Sequence, residues 1–167
     1  MAFVKQKFEE EKKKIIPLSD KDALLKLQNW CAYQERCQQE VRDKLYDFGL
    51  HSNSVENIIS ELITTGFLNE ERFAKAFAGG KFRIKKWGRI KIKIELRKKR
   101  VSDYCIKKGL QEIDEKEYLN TLTKLAEIKL KTISEKNALK KKYKLTRYLL
   151  SKGFEGDLVK DIVDEMS

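Results

Sequence analysis

The chain has 167 residues, 41% hydrophobic and 38% charged, with three cysteines and a net charge of +11. That is enough for one ordinary domain or a few small stacked units. No apolar run is long enough to span a membrane, no apolar segment marks the start as a secretory signal, and an odd set of unrelated cysteines excludes a disulfide framework; cytosolic residence follows. The charge predicts attraction to polyanions, against the plainer reading of a solvated, self-repelling surface.

Residues 1–17, closing on the single proline, Pro17, read as an N-terminal arm. Glycine is absent where hairpins need it, which argues against an all-β fold. In "DALLKLQNWCAYQERCQQEVRDKLYDFG" the apolar positions Ala23, Leu24, Leu27, Trp30, Cys31, Val41 and Leu45 keep helical spacing, and Gly49 sits where a helix C-cap belongs. A shorter helix fits "SVENIISELITTG", with Val55, Ile58, Ile59 and Leu62 on one face, a start capped by Asn53 or Ser54, and Gly66 just past the end. "NEERFAKAFAG" follows, with Asn69 as N-cap, acids in the first turn, and Phe73, Ala76 and Phe77 on one side. The pair Gly79–Gly80 reads as a turn between helices.

Residues 81–100, "KFRIKKWGRIKIKIELRKKR", carry eleven Lys or Arg and one acid, Glu95. By its own pattern "RIKIKIEL" alternates as a strand does, with Ile90, Ile92, Ile94 and Leu96 on one face. An internal repeat argues otherwise. "KLYDFGL" at 44–50, "ELRKKRV" at 95–101 and "YLLSKGF" at 148–154 align at offsets of 51 and 53 residues. Leu45, Leu96 and Leu149 fall in register, as do Gly49, Arg100 and Gly153, then Leu50, Val101 and Phe154; one turn earlier Val41, Ile92 and Leu145 align. The repeat reads as long helix, tight turn, short helix, turn, helix. The basic segment is then a helix–helix junction leading into the first long helix of the middle repeat, with Ile92 and Leu96 in the core. Ile90 and Ile94 match Gln39 and Asp43 of the first copy and are expected at the surface. The fold class is all-α, three tandem three-helix units in an elongated molecule, with approximate bounds 18–68, 69–116 and 117–167. Charge comes in blocks: residues 81–108 are strongly basic, 111–118 acidic, 136–147 basic, and the tail acidic.

Three stretches resemble the RecX family, regulatory proteins of the RecA recombinase. "RCQQEVRDKLYDFGL" is similar to the family's Arg-Ser-x-x-Glu-Leu-x-x-Lys-Leu pattern through Arg36, Glu40, Lys44 and Leu45, with Cys37 in place of serine and Val41 in place of leucine. "GFLNEERFAKAFAGGKFRIKKWGRIKIKIEL" is similar to its central signature through Gly66, Phe67, Leu68, Arg72, Phe73, Ala74, Gly88, Ile92, Glu95 and Leu96. There Asn69 departs at the first acidic place, and just beyond the signature Arg100 departs where many members carry glycine. "KKKYKLTRYLLSKGFEGDLVKDIV" resembles the final Lys-rich helix and its Gly-Phe turn. The resemblance covers residues 20–166. It implies tandem helix-turn-helix-like units, no catalytic residues, and a role in binding the RecA filament on DNA, in its groove, to modulate and usually inhibit recombinase, ATPase and co-protease activity.

The candidate contact residues for nucleic acid or filament are Lys81, Arg83, Lys85, Lys86, Arg89, Lys91, Lys93, Arg97, Lys98, Lys99 and Arg100, and a second cluster of Lys140, Lys141, Lys142, Lys144 and Arg147. Phosphate contacts from such residues give affinity and salt dependence without sequence readout. An acidic protein groove and an inert surface are the competing readings. Phe82 and Trp87, interleaved with the bases, either stack on unpaired nucleotides or pack at the junction. Arg72 is expected to pair with a carboxylate, and Glu40 and Glu95 to cap or pair between helices. A lone His51 without cysteines at ligand spacing gives no zinc site, and no Walker-type loop is present; neither metal nor cofactor is expected. Expected partners are the RecA filament and single- or double-stranded DNA, with no membrane, and the chain is expected to be a monomer. The alternative is a free-standing helical DNA- or RNA-binding protein acting through residues 81–100.

Overall fold

The computed structural model describes residues 16–166, so the arm read at 1–17 lies, but for Ile16 and Pro17, outside the described residues. These residues form nine helices and no strand: α1 Asp20–Tyr33, α2 Gln38–Asp47, α3 Ser52–Thr64, α4 Glu70–Lys85, α5 Arg89–Lys98, α6 Asp103–Leu110, α7 Glu115–Thr132, α8 Ala138–Ser151 and α9 Gly156–Glu165. None of the described helices is long and apolar enough to cross a membrane.

Helix packing closes in triplets, α1–α3, α4–α6 and α7–α9. The fold is thus three tandem three-helix repeats. The helix that carries the repeat's register, read as a long helix opening the unit, is the middle member of each triplet and shorter than the first. α5 is therefore the central helix of the second unit, held between α4 and α6.

Each central helix ends in the same turn. Gly49, Arg100 and Gly153 all adopt positive φ, at 81°, 58° and 93°. The next residues, Leu50, Val101 and Phe154, turn back into the core. The amides of Leu50 and Val101 donate to the carbonyls of Leu45 and Leu96 at 3.3 and 3.2 Å, the closing bond of a Schellman turn. Arg100 makes this turn without glycine, at a cost of about 1–2 kcal/mol. Ile92 and Leu96 are fully buried while Ile90 and Ile94 are 44% and 47% exposed, so the alternating stretch is a helix with its core stripe where the repeat put it.

Two expectations are corrected. Residues 22–49 are not one helix. The chain breaks at Gln34–Cys37, and Cys37, extended at φ −86° and ψ 161°, starts α2, its amide bonded to the Glu40 carboxylate at 3.0 Å. Gly79 and Gly80 are not a turn either, because α4 runs through them to Lys85. Its buried stripe of Phe73, Ala74, Ala78, Gly79 and Phe82 continues past both glycines, and packing against α6 outweighs their low helix propensity. The turn comes at Lys86, left-handed at φ 56°.

The units are joined unequally. One apolar core fills the first unit, and a second runs unbroken through units two and three and takes in Cys37 of the first. Within the second, the rings of Phe82, Tyr118 and Phe154 follow one another at centroid distances of 5.6 and 5.1 Å.

Candidate functional site

The seam between the second and third units fixes the basic segment. The amides of Gly88 and Ile90, at the start of α5, donate to the carbonyls of Lys152 and Gly153, just past α8, at 2.8 and 3.0 Å. Orphan donors of one helix end thus satisfy orphan acceptors of another. A Cβ on Gly88 would lie 2.2 Å from the Gly153 carbonyl, and one on Gly153 would lie 2.3 Å from Lys91 Cβ. Tyr118 locks the same junction: its hydroxyl accepts from the Arg89 amide at 3.0 Å and donates to Glu155 at 2.5 Å. Burial, and then the bond to Glu155, push the Tyr118 phenol well above its usual range. Arg89 lies 4.0 Å over the Tyr118 ring and pairs with Glu115 at 2.5 Å and Glu155 at 3.5 Å.

The seam between units one and two joins one buried side chain of unit one, Cys37, to ion pairs. Lys99 pairs with Glu40 at 2.8 Å and Arg72 with Glu35 at 2.5 Å. Burial alone would lift the Glu40 carboxyl, but hydrogen bonds from Lys99 and the Cys37 amide outweigh it and hold the group below its ordinary range. Arg72 therefore has its carboxylate, and Glu40 joins two units. Glu95, by contrast, pairs only along its own helix, with Lys98 at 2.7 Å.

The eleven bases of residues 81–100 do not form one patch. Arg89 and Lys99 hold the seams. Lys81 and Lys91 lie over the Trp87 ring at 5.2 and 4.8 Å. Arg97 and Lys98 make exposed pairs with Asp103 and Glu95. The Arg83 guanidinium packs beside Gly79. Lys85, Lys86, Lys93 and Arg100 are exposed and have no ion pair with a described residue. Phe82 is buried and packs, whereas Trp87 is half-buried between its two lysines.

Three grooves gather these charges. A cleft of about 450 Å³ at the first seam is lined by Phe73 and Phe77, by the bases Arg36, Lys81, Lys85 and Lys99, and by the acids Glu35 and Glu40. Two polar atoms at this seam, Glu35 Oε2 and Arg36 Nε, are buried without a partner. A groove of about 690 Å³ between α5 and α6 is lined by Arg89, Lys93, Arg97 and Lys107, with Asp103 and Glu115 among them. The third, of about 750 Å³ between α7 and α8, joins Lys140, Lys144 and Arg147 to Lys129, Tyr143 and Tyr148. In that second cluster, Lys142 pairs with Asp164 at 2.5 Å and Lys144 with Glu135 at 3.3 Å, while Lys140 and Lys141 have no ion pair with a described residue. Arg36, Lys107, Lys129, Tyr143 and Tyr148 are additions to the sequence-based set. The two tyrosines carried a signal, aromatic residues interleaved with bases, because "KKYKLTRY" has the same texture as the segment around Trp87. Lys129 lies over Tyr148 at 4.9 Å and Arg147 over Tyr143 at 5.7 Å.

Known proteins share this architecture and sequence. The family models described as the RecX second and third three-helix domains match residues 69–110 and 115–163. A regulatory protein RecX of Clostridium botulinum (strain Eklund 17B / Type B) is 33% identical over 97% of this chain and 77% of its own length. One of Clostridium perfringens (strain 13 / Type A) is 34% identical over 79% of this chain, and the match spans 62% of that relative. The crystal structure of RecX from Lactobacillus salivarius superposes with a TM-score of 0.79 at 27% identity, covering 87% of this chain and 95% of that one. With three helical triplets in order, two of them matched by the family's own domains, the chain belongs to the RecX family of regulatory proteins.

Proposed function

We propose that this regulator binds the RecA–DNA filament, in its groove, and inhibits recombinase, ATPase and co-protease activity without chemistry of its own. The observation that carries the reading is the distribution of cationic grooves over successive units, at the first seam, between α5 and α6, and between α7 and α8. Tandem units joined by short turns reach more than one subunit of a repetitive partner, and each further contact is then intramolecular. The chain acts as a monomer, with Lys85, Lys86, Lys93, Arg100, Lys140 and Lys141 as the bases most available to phosphates or carboxylates. The test is DNA-dependent ATP hydrolysis and strand exchange by the cognate recombinase at rising substoichiometric amounts of the chain. Inhibition at physiological salt is expected. No effect, together with tight binding to bare DNA, refutes the reading and favours a free-standing nucleic-acid binder. The groove holding Tyr143 supports that second reading, because an exposed aromatic between bases suits unpaired nucleotides.

A further inference from the structure

The outward face of α5 mixes two chemistries that a phosphate backbone does not need together. Ile92 and Leu96 point into the core. At about 100° per residue, Ile94 projects nearly opposite them, with Ile90 beside it. Lys93 and Arg97 flank this pair on one side, and Lys91 and Lys98 on the other. Both isoleucines leave nearly half their surface in water, at 44% and 47% exposure. As β-branched residues they also weaken the helix, so the exposed half of each adds nothing that a better helix former would not supply to the free chain. The equivalent pair in the first unit, Gln39 and Asp43, is polar and bonded to itself at 2.7 Å. In the third unit the pair is Tyr143 and Arg147, so an aromatic residue stands on this face there.

We infer that the outward face of α5, Ile90 and Ile94 bordered by Lys91, Lys93, Arg97 and Lys98, docks a protein surface: an apolar depression rimmed by carboxylates. The inference rests on the filament reading and assigns this face to the protein part of the filament. Charge complementarity selects the rim. The acids beside this face are already paired: Glu95 with Lys98 and Asp103 with Arg97, in exposed and easily exchanged pairs, and Glu115, in the groove with Lys93 and Arg97, with Arg89. The apolar centre selects protein over nucleic acid, since phosphates reward charge alone, while protein interfaces combine an apolar centre with a polar rim.

The test compares the wild-type chain with Ile90→Gln/Ile94→Gln and with Ile90→Leu/Ile94→Leu. Gln is the residue the first unit carries at the Ile90 place, and both positions face outward, so circular dichroism and the thermal midpoint should match wild type. Two quantities are measured: the concentration for half-inhibition of recombinase ATPase on single-stranded DNA, and the affinity for a bare oligonucleotide across a salt series. The Gln pair should raise the half-inhibiting concentration about tenfold, as expected for losing roughly one buried aliphatic side chain. The Leu pair should restore it, and bare-oligonucleotide affinity and salt slope should be unchanged in both. An equal loss on the bare oligonucleotide overturns the inference in favour of nucleic acid, and unchanged inhibition overturns it as an idle face. A wild-type chain that leaves the recombinase unaffected overturns the filament reading as well, and that result is visible before any variant is compared.

Discussion

Replacing Gly88 by alanine tests how the second and third units are joined. The new methyl carbon would sit 2.2 Å from the Gly153 carbonyl and 2.3 Å from the Phe154 amide, both rigid backbone. Ordinary contact needs more than 3 Å, so the seam has to open by over an ångström. Opening breaks two backbone hydrogen bonds, Gly88 to Lys152 and Ile90 to Gly153, worth about 1 kcal/mol each. It also strains a packed junction, which costs about 1–3 kcal/mol. The total is about 3–5 kcal/mol, a large part of the stability of a typical domain. Guanidinium unfolding followed by circular dichroism should show it as a lowered midpoint. Gly80→Ala is the internal control: nothing lies within 4 Å of its Cβ, it is in mid-helix, and alanine there should stabilise by about 0.5–1 kcal/mol. A Gly88→Ala loss below about 1 kcal/mol, inside the ordinary range for one residue, would refute the seam as described.

Arg100→Gly should stabilise the chain by about 1 kcal/mol by relieving a left-handed residue, read as a higher thermal midpoint; a lower one would mean that the side chain holds something. The Glu40 carboxyl lies below its ordinary value, so its contribution is complete above about pH 4.3 and is lost as pH falls through the depressed value. Glu40→Gln should therefore flatten the acid limb of a stability–pH curve. Burial pushes the Cys31 and Cys37 thiols up to about 11, so at pH 8 a disulfide reagent should titrate one rapid thiol in the native chain, Cys105, which is half-buried. Lys85→Gln/Lys86→Gln should lower the salt slope of duplex binding by about 0.9 per lost phosphate contact and leave stability unchanged, whereas Arg89→Gln should lower stability.

The helices and their core faces were largely legible because caps and apolar spacing are local. Asn69 accepts from the Arg72 amide as its position promised, and Leu45, Leu96 and Leu149 are all buried. The break before α2 was hidden because a cysteine stands where a capping serine would announce it; only Glu40 three residues on kept the capping pattern. Gly79–Gly80 misled because a turn signal says nothing about the helix packed beside it. α4 and α6 lie so close that a Cβ on Gly109 would meet the Ala74 carbonyl at 2.6 Å. The order of helices within a unit was hidden for the same reason, since periodicity marks a buried face and not the helix that covers it. For the candidate site, a count of bases could not separate Arg89 and Lys99, fixed by carboxylates from neighbouring units, from Lys86 and Lys93. Their partners Glu115, Glu155 and Glu40 are distant in sequence and meet them only after folding.

The unequal seams give the molecule a mechanical grain. Units two and three share backbone bonds and a continuous run of rings, so they turn together as one stiff rod. Unit one is tied by Glu40–Lys99, by Glu35–Arg72 and by the single buried side chain of Cys37, beside a cleft that still has open volume. Part-exposed ion pairs tolerate small rotations and weaken as salt rises; interlocked backbone does neither. Torque applied along the chain would concentrate at that joint, leaving the first unit to swing while the rod keeps its bearing.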